Sequence, residues 1–340
     1  AGGAGIQGNT YIAGNLVVGN SITAPYSIVQ SRYSYQPNTT IVAGGTGTYT
    51  LSYSYNNGLN WTGITVSPFT TSGNAIAYNG SIWIAGGSGG NTLAYSLNGT
   101  YWVGIGTTTF STATYGMAWN GNVFIAVGQG TNTIAYSNSG TVWYGFGTGI
   151  FGTIGSSVAW GGNMWVATGS GTNTLAFSTV GSSNWVGLGA TIFSVQGLAV
   201  TWNGRIWMAG GQGTNTMAYS TTGSTWTGLT TSVFTNWCAS IGWNGVIWVA
   251  AGFGGNTLAY SYDGFTWTGI GTGTFSTQGT NISWVGNTWV ATGSGTNFIA
   301  YSQTGTTWSA VTQVFTTAAY TLGWNCLLYT SPSPRDATLS

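Results

Sequence analysis

The chain has 340 residues with three arginines, two aspartates and no His, Lys or Glu, for a formal net charge of +1. Charged side chains make up 1% of it, against about 25% in an ordinary domain. That balance argues against a phosphate-neutralising nucleic-acid surface, acid–base catalysis and a His/Cys/Asp metal cage, so no catalytic residue, metal ligand or cofactor is expected. Hydrophobic residues are 42% and aromatic residues 15% of the chain, far from the composition of disorder. No apolar run approaches the ~18 residues of a membrane-spanning helix, so no membrane insertion is expected.

In chain order, residues 1–24 come first as a leader. Gly-Asn recurs there every five or six residues, as in Gly8-Asn9, Gly14-Asn15 and Gly19-Asn20. This pattern resembles the short repeats of viral and phage tail-fibre stalks. The resemblance implies β-structure formed by trimerisation through the leader, because a lone hairpin is marginal in water. The other reading is a flexible Gly-rich leader.

Residues 25–325 repeat. The serine of a Tyr/Phe-Ser pair stands at Ser54, Ser96, Ser137, Ser178, Ser220, Ser261 and Ser302, in steps of 41 or 42. Trp61, Trp102, Trp143, Trp185, Trp226, Trp267 and Trp308 follow in the same register. Within one unit, Tyr115–Trp119 reads as a first strand and Asn120-Gly121 as a two-residue turn. Val123–Val127 is a second strand and Gly128–Asn132 a glycine-rich loop. Thr133–Tyr136 is a third strand, Ser139-Gly140 another turn, and Val142–Phe146 a fourth strand. A unit of four short strands in about 41 residues predicts an all-β fold: a β-propeller of about seven four-stranded blades of 41–42 residues. The first unit is read from near Ser27, with Ile41–Ala43 as its second strand. The others begin near Asn74, Tyr115, Ser156, Gln196, Cys238 and Asn281. Tyr320–Asn325 reads as one more first strand, which either completes the first unit or opens a further one.

Unit six contains Ser261-Tyr-Asp263-Gly264-Phe-Thr266-Trp267. This resembles the Asp-box hairpin of sialidase-type propellers, although it is one residue shorter between Asp and Trp. The acid is replaced elsewhere by Asn57, Asn98, Ser139, Val180, Thr222 and Thr304. The resemblance implies that Asp263 and the seven repeated tryptophans from Trp61 to Trp308 are folding elements: the acid or serine bonds turn amides and the Trp packs between strands. Sialidase chemistry would need three arginines, a Glu-activated Tyr and an acid, and this chain offers Arg32 and Arg205 with no Glu. Similar repeats occur in uncharacterised proteins of large viruses and environmental sequences.

Ligand candidates are the aromatics outside the repeat, Tyr101, Tyr144, Trp237 and Phe265, whose flat faces suit a sugar ring. A second set is Asn91, Asn132, Asn173, Asn215, Asn256 and Asn297, one per second-to-third-strand loop. These six amides either form a rim for a neutral multivalent ligand or each closes its own turn, the reading that turn chemistry favours. Cys238 reads as a small buried hydrophobe. Asn38, Asn60, Asn79, Asn98 and Asn281 begin glycosylation sequons, a weak signal in so Asn- and Thr-rich a chain. The expected function is a non-catalytic adhesin or surface propeller, extracellular or on a virion, whose partners are neutral glycans or a cell-surface receptor. The alternative is a purely structural repeat, and a degenerate hydrolase is the remotest reading. Residues 326–340, CLLYTSPSPRDATLS, resemble a translated sequencing adapter and are set aside as a non-native tail.

Overall fold

The computed structural model describes residues 40–56, 60–311, 315 and 318–324, all within the compact unit Pro37–Ser340. The leader, the strand expected near Ser27 and the tail lie outside the described residues. No helix occurs among the described residues; every regular element is a strand, and the pairings are antiparallel.

The first set joins the two ends of the described chain. β1 (Ile41–Thr46), β2 (Leu51–Ser54) and β3 (Thr62–Gly63) pair in sequence. The other side of β1 is taken by β28 (Ala318–Trp324), from Ile41 opposite Trp324 to Thr46 opposite Ala318. Thus the extra strand read at Tyr320 completes the first unit. Each later set is a contiguous meander. The next is β4 (Phe69–Tyr78), β5 (Trp83–Gly90), β6 (Leu93–Ser96) and β7 (Val103–Gly106). Then come β8 (Ala113–Trp119), β9 (Phe124–Gln129), β10 (Ile134–Ser137) and β11 (Tyr144–Gly145). β12 (Ile154–Trp160), β13 (Trp165–Ser170), β14 (Leu175–Ser178) and β15 (Val186–Gly187) follow. So do β16 (Gln196–Trp202), β17 (Trp207–Gln212), β18 (Met217–Ser220) and β19 (Thr227–Gly228). β20 (Trp237–Trp243), β21 (Trp248–Phe253), β22 (Leu258–Ser261) and β23 (Thr268–Gly271) make the next set. The last is β24 (Gln278–Val285), β25 (Thr288–Ser294), β26 (Ile299–Ser302) and β27 (Ser309–Ala310).

Burial explains the residue choice along each set. The second strands are covered on both faces, so they read as unbroken small and apolar runs such as Phe124–Gly128. The fourth strands are edges with one partner, and most have only two residues. Brevity blunts an edge that carries no charge. It also trims the expected run Val142–Phe146 to Tyr144–Gly145, although the Phe146 N–H still donates to the Ile134 carbonyl at 3.0 Å. The core lies between neighbouring sets: Ile206 and Met208 of one pack with Phe234, Ile241 and Trp248 of the next. The first strands touch in succession, β4 to β8, β12, β16, β20, β24 and β28, and β28 touches β4.

One repeated contact was not singled out in the sequence. Phe69, Phe110, Phe151, Phe193, Phe234, Phe275 and Phe315 are all buried. Each ring lies over a second-strand glycine, such as Gly211 beneath Phe193. A methyl group on Gly211 would meet that ring at 2.5 Å and the Gln196 carbonyl at 2.6 Å.

Candidate functional site

The six loop asparagines act as staples between two loops. Asn132 donates from Nδ2 to the Thr109 carbonyl at 2.6 Å and accepts from the Gly147 N–H at 2.7 Å. Asn91, Asn173, Asn215 and Asn256 make the same pair of bonds, to Pro68 and Gly106, Ile150 and Gly189, Ile192 and Thr230, and Val233 and Gly271. Asn297 donates to the Thr274 carbonyl at 2.8 Å. Each is half-buried, so what it offers a ligand is chiefly its second N–H.

The hairpins between third and fourth strands carry the box-like residues at the other end of each set. Ser261 Oγ accepts from the Gly264 N–H at 2.9 Å, and Trp267 Nε1 donates to the Gly264 carbonyl at 3.0 Å. Gly264 sits at φ 83°, which favours glycine. Trp102, Trp143, Trp185, Trp226 and Trp308 make the matching bond to Gly99, Gly140, Gly181, Gly223 and Gly305. In the first set the turn residue is Asn56 rather than Asn57. Asn56 Oδ1 accepts from Ser54 Oγ and from the Asn60 N–H, because this hairpin has one more residue before its Trp, and Asn57 lies outside the described residues.

Asp263 Oδ1 accepts from the Thr266 and Phe265 N–H groups, both at 2.7 Å. The Thr266 bond, with the Phe265 and Ser261 bonds, holds the carboxyl down at about 2. A depressed acid contributes stability above its unfolded pKa and loses it as pH falls through the folded one. With no His in the chain, the melting temperature should stay flat from about pH 5 to 8 and fall below about pH 4. Asp263→Asn should reduce that acid-side fall, measured by thermal melts across pH.

The four non-repeat aromatics do not converge. Tyr101, 70% exposed, lies in a third-to-fourth-strand turn. Tyr144 on β11 stacks on Tyr136 at 5.3 Å, and Phe265 meets Tyr219 edge-on at 4.8 Å. Trp237 opens β20 at the opposite end of its set and lies 4.6 Å from Phe253. Cys238 beside it is fully buried, its S–H directed at the Ser240 carbonyl at 3.7 Å. Burial pushes its thiol far up, so it is no nucleophile.

A different group of residues does converge. In every first strand the ladder skips one residue, forming a β-bulge. The jumps fall between Gly73 and Ala75, Thr114 and Gly116, Gly155 and Ser157, Gly197 and Ala199, Cys238 and Ser240, and Gly279 and Asn281. On β28 the jump passes from Ala319 to Thr321. The residues left unpaired are Asn74, Tyr115, Ser156, Leu198, Ala239, Thr280 and Tyr320. All seven line one cavity of about 250 Å³ and all are half-buried. A bulge leaves its extra residue free of the ladder and re-aims its side chain, which is why these seven turn toward the space between the first strands.

The cavity wall carries no charged side chain. Tyr115 Oη donates to Gln129 Oε1 at 3.1 Å, and burial raises its phenol. Ser156 Oγ accepts from Gln196 Nε2 at 2.9 Å, and Asn74 Nδ2 donates to the Thr114 carbonyl at 3.2 Å. Trp237 stands two residues before Ala239, the closest of the predicted aromatics in sequence to the wall. Among the described residues no group of three His, Cys, Asp or Glu side chains clusters, and no helix is long and apolar enough to cross a membrane.

No protein-family model and no curated protein sequence matches the chain. Solved structures do. The extracellular domain of the putative one-component system BT4673 from B. thetaiotaomicron is 12% identical with a TM-score of 0.56, over 78% of this chain and 38% of that one. YCF48 bound to D1 peptide is 14% identical with a TM-score of 0.53, over 72% and 83%. The Niastella koreensis GH74 enzyme is 20% identical with a TM-score of 0.50, over 74% and 42%. This chain therefore spans less than half of the first and third. At these identities the likeness is one of fold: an all-β, propeller-like architecture of repeated antiparallel strands.

Proposed function

We propose that residues 25–325 form a closed seven-bladed β-propeller that binds neutral glycans without catalysing a reaction, at a virion or other extracellular surface. The pairing of β28 with β1, and the succession of first-strand contacts that returns to β4, support the closed ring. The observation that carries the binding reading is the cavity between the first strands, whose wall is made of hydroxyl, amide and apolar groups without a charge. Such a wall matches sugar hydroxyls and penalises an ionised ligand. The BT4673 neighbour is an extracellular domain, which agrees with the placement. The Asp-box kinship rests on the hairpin bonds of Ser261, Asp263 and Trp267.

A second reading, a purely structural repeat, is favoured by the staples: the loop asparagines bond the protein's own backbone. A glycan array with the full chain separates the two. Specific neutral-glycan hits that weaken little between 50 and 500 mM salt, a range set by screening of exposed charges to about 4–14 Å, support binding. Silence across the array, with a well-folded chain, supports the structural role. A steep salt dependence counts against the neutral-glycan reading.

A further inference from the structure

The cavity wall has two kinds of side, and its order around the first strands fixes where they lie. Following strand contacts, Thr280, Tyr320, Asn74, Tyr115 and Ser156 are consecutive, and Leu198 and Ala239 close the circuit. Five neighbouring positions are therefore polar and two neighbouring positions apolar. The residue after each bulge is small in every set, Ala75, Gly116, Ser157, Ala199, Ser240, Asn281 or Thr321, and the next is Ile, Met, Val or Leu. The bulge residue changes its chemistry most widely from set to set, from Ala and Leu to Ser, Thr, Asn and Tyr. Ladder pairing and core packing constrain its neighbours, whereas the bulge leaves it unconstrained.

Resting on the neutral-glycan reading above, we propose that this cavity takes one neutral pyranose ring, its hydroxyls against the arc from Thr280 to Ser156 and its remaining edge toward Leu198 and Ala239. The volume supports a single ring: about 250 Å³ lies below the ~300–1,000 Å³ of pockets for drug-sized molecules. The polar arc keeps both kinds of hydrogen-bonding capacity after its internal bonds. Ser156 accepts from Gln196 and retains its O–H donor. Tyr115 donates to Gln129 and retains its oxygen lone pairs, and Asn74 retains Oδ1 and its second N–H. Hydroxyl groups, each a donor and an acceptor, suit such a mixture. A carboxylate or phosphate on the ring would meet no cation. The bulge residues, in this assignment, determine specificity while the repeated residues determine the fold.

The test titrates the full chain with methyl β-galactopyranoside, methyl α-fucopyranoside and N-acetylneuraminic acid, read by saturation-transfer NMR and calorimetry. At least one neutral glycoside should bind and the acid should not. Ala239→Trp and Ser156→Trp fill the cavity from the two strands that flank Leu198, and each should weaken binding by about tenfold or more while the far-UV spectrum is unchanged. Should a Trp variant not fold, Leu198→Asn decides, with an expected loss of about fivefold and an unchanged melting temperature. Neutral binding that survives these changes in folded protein would overturn the cavity assignment and leave glycan binding elsewhere intact. The same holds if array hits occur but no glycoside binds as a single ring. Equal affinity for the acid overturns the uncharged-wall argument. No glycoside binding together with a silent array removes both readings.

Discussion

A chain ending at residue 317 should lose cooperative folding, whereas one ending at residue 325 should melt like the full chain. β28 supplies the first strand of the first set, pairing with β1 from Ala318 to Trp324. Without it β1, buried along its length, becomes an open edge. Leu322 and Ala319 also leave a core cluster shared with Ile41, Ala43, Val290 and Phe298. Each large side chain lost from such a cluster costs about 1.5–3 kcal/mol, and the exposed partners and lost ladder add to that. Against a total stability of about 5–15 kcal/mol, the truncated chain should show no sharp thermal transition and should bind a hydrophobic dye. Differential scanning calorimetry on the two truncations decides the matter. A 1–317 chain that melts sharply within a few degrees of the full chain would refute the clasp.

Phe193→Ala should destabilise the protein by about 3–5 kcal/mol, which lowers the melting temperature on the order of 10 °C. Phe193 is fully buried and lies over Gly211, the second-last residue of β17. Its removal leaves a cavity that the backbone, held by ladders on both sides of β17, cannot collapse to fill. Gly211→Ala should also destabilise, because its methyl group has the Phe193 ring and the Gln196 carbonyl in its way. The double variant should cost less than the two singles added, because removing the ring relieves one of the two clashes. Urea unfolding of the three variants measures this, and strict additivity would show that ring and glycine are not coupled.

Much of this architecture was legible in the sequence. The 41–42-residue period, the Asn-Gly turns and the four runs per unit follow from patterning and turn chemistry, and the Trp-to-Gly hairpin bonds agree with the box resemblance. The Phe–Gly contact recurs with the same period, but recurrence cannot say what touches what. The bulges stayed hidden for the opposite reason. Reading a repeat means looking for what returns, and Asn74, Tyr115, Ser156, Leu198, Ala239, Thr280 and Tyr320 share no chemistry. Several of them marked the expected starts of units, yet the extra ladder residue that turns them into the cavity is a backbone feature. The loop asparagines show the converse. Their recurrence was plain, but only the bonds between loops reveal that Asn91, Asn132, Asn173, Asn215 and Asn256 each tie their unit to the segments before and after it.

The clasp between β1 and β28 also sets a schedule for synthesis. β1 emerges from the ribosome with one side unpaired, and its partner follows roughly 270 residues later, about 14–55 s at 5–20 residues per second. Through that interval each newly made set offers a first strand with Tyr or Trp at or next to its end, as β28 has Trp324. The chain must hold β1 in reserve against these near-copies. Premature pairing would trap β1 against the wrong first strand, so the yield of native protein should depend on translation speed more than its equilibrium stability suggests.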